Sequence, residues 1–158
     1  MGVGMSEKFR ELASGAGYKP VTKAISGTST FQWVFWIKKH LETHTPSLVL
    51  VSLGTNDAIQ LERAKKSNVY AEMSKIIQEF GSEIVWIVPH KIDLSRIPKI
   101  DLTREFIRSS VPLSFDSLKV DVPLSPDHVH TSKVGYERWI KEVWKWMMEV
   151  NMIEGAPK

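Results

Sequence analysis

Stretches with an apolar residue every three or four positions alternate along the chain with short runs that are apolar almost throughout. Phe9, Leu12, Ala13 and Ala16 fall at the i, i+3, i+4, i+7 spacing of one helix face. Ser6 is placed to cap that helix, and Gly15 and Gly17 to end it. Residues 21–25 read as a short strand closed by "SGTST". Residues 31–44 form a second helix, apolar round most of its circumference and so expected to be well buried, and Pro46 stops it. Residues 47–53, "SLVLVSL", have the near-continuous apolar character of a strand covered on both faces. A helix over 62–80 puts Val69, Met73, Ile76, Ile77 and Phe80 on one side, and Gly81 ends it. "IVWIV" at 84–88 is another buried strand, stopped by Pro89. A short helix over 102–110 and a weaker strand over 118–122 follow. The last helix, 132–150, carries Tyr136, Ile140, Val143, Met147 and Val150 as its stripe.

Buried strands separated by helices specify an α/β fold with a mostly parallel sheet. Ligand sites in such sheets lie at the carboxyl ends of the strands. Those ends carry "SGTST", "GTND" and "VPH", and the loop "PDHVH" precedes the last helix. Polar residues therefore gather where this architecture binds ligands.

Composition narrows the picture. The 158 residues suit one domain, 1–158, with 42% hydrophobic and 25% charged positions typical of globular proteins. The formal charge of +3 is scattered, and its densest cluster, "RAKK" at 63–66, reads as a solvated helix face, so no nucleic-acid partner is expected. The chain has no cysteine, which excludes disulfides, thiolate metal sites and a cysteine nucleophile without fixing a compartment. No apolar run is long enough for a membrane-spanning helix.

The chemistry is concentrated in "PDHVHTSKVGY" at 126–136. Asp127, His128 and His130 could begin a zinc site if His90 joined them, since zinc needs a third strong ligand. Asp127 could simply make a turn. In a third reading Asp127 holds one ring nitrogen of His130 and leaves the other as a general base, with His128 a neighbour. In "LGTNDA", Gly54 permits a tight turn, Asn56 offers an amide donor able to stabilise an oxyanion, and Asp57 can accept backbone N–H bonds and fix the loop. An ordinary Asx turn fits the same residues. Gly27 in "AISGTST" offers a backbone N–H to a ligand, or is a turn glycine. Trp33, Trp36, Trp139, Trp144 and Trp146 sit at helical spacings and read as core.

Taken together and in this order, "AISGTST", "SLGTNDA" and "PDHVHTSKVGY" resemble three blocks of the SGNH hydrolase family, also called GDSL esterases and lipases. The resemblance covers nearly the whole chain. It implies a three-layer α/β/α, flavodoxin-like fold with about five parallel strands. It implies ester hydrolysis through an acyl-enzyme, with His130 as base, Asp127 orienting it, and Gly27 and Asn56 forming the oxyanion hole. It implies no metal and no cofactor, and a small-molecule, carbohydrate or lipid ester as substrate.

The family's first block, a central strand ending in Gly-Asp-Ser with a glycine four residues after the serine, has no counterpart here. If Gly4 in "MGVGMSEKF" is that glycine, the nucleophile falls immediately before Met1, and the expectation is a chain cut just after its catalytic serine. Loss of that strand should leave a gap in the hydrogen-bond ladder. Ser6, Ser26 and Ser29 are the surrogates nearest at hand, and none is assigned. The alternatives are a non-catalytic module that keeps the cleft to bind carbohydrate or acyl groups, and a zinc hydrolase using His128, His130 and His90.

Overall fold

The computed structural model describes residues 2–154. By contact the chain divides into two compact units: Gly27–Ser117, and the segments on either side of it.

The unit Gly27–Ser117 holds a parallel sheet of three strands in the order β1 (Leu48–Val51), β2 (Glu83–Ile87), β3 (Ser114–Phe115). Val51 lies opposite Trp86, and Ile87 opposite Phe115. Helices α3 (Leu61–Ser67) and α4 (Val69–Glu79) connect β1 to β2, and α5 (Ile100–Ser110) connects β2 to β3. Helix α2 (Thr30–His44) precedes the sheet. Its stripe Trp33, Ile37 and Leu41 packs with Tyr70, Met73 and Ile77 of α4 and with Val51, Ile84, Trp86 and Val88 in one apolar cluster. Among the described residues β1 has a strand neighbour on one side only.

The second unit consists of α1 (Gly2–Gly15) and α6 (Lys133–Glu149) with their flanking loops. Phe9 and Tyr18 both meet the Trp144 ring edge-on, at 6.2 Å between centroids. Gly4 lies so close to Tyr136 that a Cβ there would be 2.3 Å from the ring. Gly135 is equally tight against Thr131 and the Pro123 carbonyl. No helix among the described residues is long and apolar enough to cross a membrane.

The α/β class and the parallel sheet agree with the sequence pattern, but several elements differ. The sheet has three strands rather than about five. Residues 21–25 carry no regular structure and alternate between exposed and half-buried, with Val21 and Ile25 both more than half exposed. A period-2 pattern becomes a strand only when a neighbouring strand completes its ladder. The third strand lies at Ser114–Phe115, ahead of the expected 118–122, where Ser117–Lys119 form a 3-10 turn. The expected helix over 62–80 is two helices, because Asn68 adopts φ +43° and its side chain caps α4 by accepting from the Ala71 N–H. Ser6 is inside α1 rather than at its cap. On α2, Phe35 is 83% exposed, so that helix buries one stripe and not most of its circumference.

Candidate active site

The loop between 120 and Ser132 is folded on itself by main-chain bonds. Leu124 bridges Thr131, the Ser125 N–H donates to the His130 carbonyl at 2.7 Å, and the Ser132 N–H donates to the Pro123 carbonyl at 2.9 Å. His128 takes the left-handed conformation, φ +59°, at the tip of the turn. Ser132 then caps α6 by accepting from the Gly135 N–H at 3.1 Å.

Asp127 organises this turn from inside. Its Oδ1 accepts the Val129 and His130 N–H groups, both at 2.9 Å, and its Oδ2 lies 2.5 Å from His130 Nδ1. The His130 hydrogen bond, first, and the two N–H bonds, second, hold the Asp127 carboxyl far below the usual carboxylate range. With Nδ1 engaged, Nε2 is the ring nitrogen able to exchange a proton with a reacting group. Both side chains remain about half exposed. Tyr136, one turn into α6, has its phenol pushed up by burial and then by the Asp127 charge.

The other two candidate residues come together in the unit Gly27–Ser117. Gly27 is exposed at φ +76°, at the turn that enters α2, a conformation a side chain would strain. Asn56 follows β1, beyond Gly54, whose φ of +139° and contact with Ile107 and Pro89 leave no room for a Cβ. The Asn56 Nδ2 donates to the carbonyl of Thr28, next to Gly27, at 2.9 Å. Trp33 Nε1 donates to the Thr28 hydroxyl at 2.9 Å. Asp57, fully buried, accepts from the Thr30 N–H at 2.8 Å, the Thr30 hydroxyl at 2.5 Å and the Tyr70 hydroxyl at 2.9 Å.

Asp57 thus fixes a loop as its chemistry suggested, but a loop 27 residues earlier in the chain. Thr28, Thr30 and Tyr70 gave no local signal. They could have been found only by asking which donors a buried carboxylate must have. The "VPH" loop is held differently: buried Arg104 of α5 donates to the Pro89 carbonyl at 2.7 Å and to the His90 carbonyl, and pairs with Asp101 at 2.6 Å. Among the described residues no three His, Asp or Glu side chains gather as a metal ion requires.

No protein-family model matches the sequence, and no curated protein matches it. Solved structures do. A carbohydrate acetylesterase, Est24 from Sinorhizobium meliloti, superimposes with a TM-score of 0.72 at 14% identity, over 94% of this chain and 84% of that one. This chain has the SGNH-hydrolase fold. The native aryl esterase of M. smegmatis matches with a TM-score of 0.67 at 14% identity, over 96% and 84% of the two chains. A family 3 carbohydrate esterase from Clostridium thermocellum matches at 0.66 and 17%, over 95% and 87%. At these identities the likeness establishes the SGNH fold and leaves the chemistry to the residues.

Proposed function

We propose that the chain belongs to an ester hydrolase of the SGNH type, working through an acyl-enzyme. The observation that carries this reading is the Asp127 Oδ2–His130 Nδ1 contact of 2.5 Å on a loop entering a helix, in a fold shared with esterases.

The substrate is a small ester whose acyl carbonyl reaches the Gly27 turn. A serine attacks that carbonyl carbon while His130 Nε2 takes the serine proton. Asp127 keeps the imidazole in the tautomer with its proton on Nδ1 and stabilises the imidazolium that forms. The Gly27 N–H and the second hydrogen of Asn56 Nδ2 meet the developing O⁻. His130 then protonates the leaving alcohol, and a water repeats the cycle on the acyl-serine to release the acid.

The nucleophilic serine is not assigned among Ser6, Ser26 and Ser29. Gly4 lies close against Tyr136, which seats the first turn of α1 on the helix that opens just after the Asp127–His130 loop. Est24 is a carbohydrate acetylesterase and the M. smegmatis protein an aryl esterase, which makes acetylated sugars and aryl esters the first substrates to try.

The test is hydrolysis of an aryl acetate by the full-length gene product and by its His130→Ala variant. The reading expects turnover that the substitution abolishes. Absence of turnover on simple esters, or turnover indifferent to His130→Ala, overturns it.

A further inference from the structure

Asp57 has no part to play in the bond-breaking steps, yet its carboxylate accepts three hydrogen bonds. It is fully buried, and so are Thr30 and Tyr70, which supply its three donors. A buried carboxylate is costly unless its oxygens are satisfied, so the arrangement has a narrow tolerance. The Thr30 N–H lies at the start of α2, where the helix dipole favours an anion. The Tyr70 ring is fixed edge-on against Trp86 at 5.4 Å and against Phe106 at 5.9 Å, so its hydroxyl arrives in one place. Burial, with the Asp57 charge and hydrogen bond behind it, pushes the Tyr70 phenol far above its ordinary range and keeps it a donor.

The covalent neighbours of this cluster give it a consequence. Asp57 directly follows Asn56, and Thr30 stands three residues after Gly27. Asn56 is itself tied back to Thr28. The two loops are therefore fastened at two points, one partly buried and one buried. We propose that Asp57, gripped by Thr30 and Tyr70, is a positioning residue that fixes the distance between the Gly27 N–H and the Asn56 amide and thereby sets how tightly the site holds an oxyanion. The proposal rests on the reading of Gly27 and Asn56 as oxyanion donors. Donors of this kind act only when held to within a fraction of an ångström of the charge they meet.

The experiment is a sodium acetate titration of the ¹⁵N-labelled chain followed by ¹H–¹⁵N correlation spectra, acetate supplying a carboxylate oxygen in place of the oxyanion. In the unaltered chain the Gly27 amide and the Asn56 side-chain signals shift to saturation. Tyr70→Phe and Thr30→Val each remove one hydroxyl and weaken acetate binding about tenfold, the worth of roughly one hydrogen bond to a charge. Thr30→Ser keeps the hydroxyl and keeps the affinity, which a general loss of packing would not allow. Unchanged affinity in both Tyr70→Phe and Thr30→Val overturns the positioning role. Acetate that leaves Gly27 and Asn56 unmoved in the unaltered chain instead overturns the oxyanion reading, so the two failures are distinguishable. If Tyr70→Phe does not fold, the comparison of Thr30→Val with Thr30→Ser decides alone.

Discussion

Asp57 and Asp127 are the same chemical group in opposite settings. Asp57 accepts one backbone N–H and the hydroxyls of Thr30 and Tyr70, and Asp127 accepts two backbone N–H groups and pairs with His130 Nδ1. Asp57 is sealed from water, while Asp127 and His130 are about half exposed. A buried carboxylate with neutral donors holds structure, because any donor it loses is left unsatisfied in a dry interior. An exposed one contributes little to folding, since water replaces whatever it loses. What it can do is orient a histidine that must meet a substrate. The difference separates residues that hold the site from residues that act in it, and substitutions at the two should separate rate from stability.

The largest effect belongs to the exposed pair. His130→Ala is expected to lower ester hydrolysis by the full-length gene product about a million-fold, as loss of a catalytic base does elsewhere, with the urea midpoint unmoved. Steady-state rates beside an unfolding curve check both halves. Asp57→Ala should do the reverse to stability. It strands two hydroxyls and an N–H in the interior and should cost about 3 kcal/mol or more, read from urea denaturation. A fall of only a few tenths would remove the contrast.

A smaller effect tests the second unit. In an exposed helix, Gly→Ala stabilises by about 0.5–1 kcal/mol. At Gly4 the new methyl would sit 2.3 Å from the Tyr136 ring, so Gly4→Ala should instead destabilise by about 1–3 kcal/mol. Adding Tyr136→Ala should cost less than the sum of the two single changes. The smallest effect is on pH dependence. The Asp127 carboxyl is lowered in the folded chain, so its contribution is complete above the ordinary carboxylate value and is lost only as pH falls through the depressed folded one. A ¹³C carboxyl titration should place its midpoint well below about 3.9, and His130→Ala should move that midpoint upward.

Much of this was legible in the sequence where local pattern decides. The strands around "LVLV" and "IVWIV" and the helices ending near His44, Ser110 and Glu149 follow from apolar periodicity and stop signals within a residue or two. The reading failed where a neighbour decides. Residues 21–25 have a strand's alternation but no strand beside them among the described residues, and Asn68 breaks the helix expected over 62–80, just ahead of its apolar stripe. In the site, Asp127 and His130 could be paired because they are three residues apart. The Asp57–Thr30–Tyr70 cluster could not, since its members are brought together by the packing of α2 and α4 and not by spacing.

The most direct test of the central claim is fluorophosphonate labelling of the full-length gene product, with the adduct mapped by peptide mass spectrometry. The account predicts one labelled serine, and no labelling in His130→Ala. Labelling that survives His130→Ala, or no labelled serine at all, would contradict it.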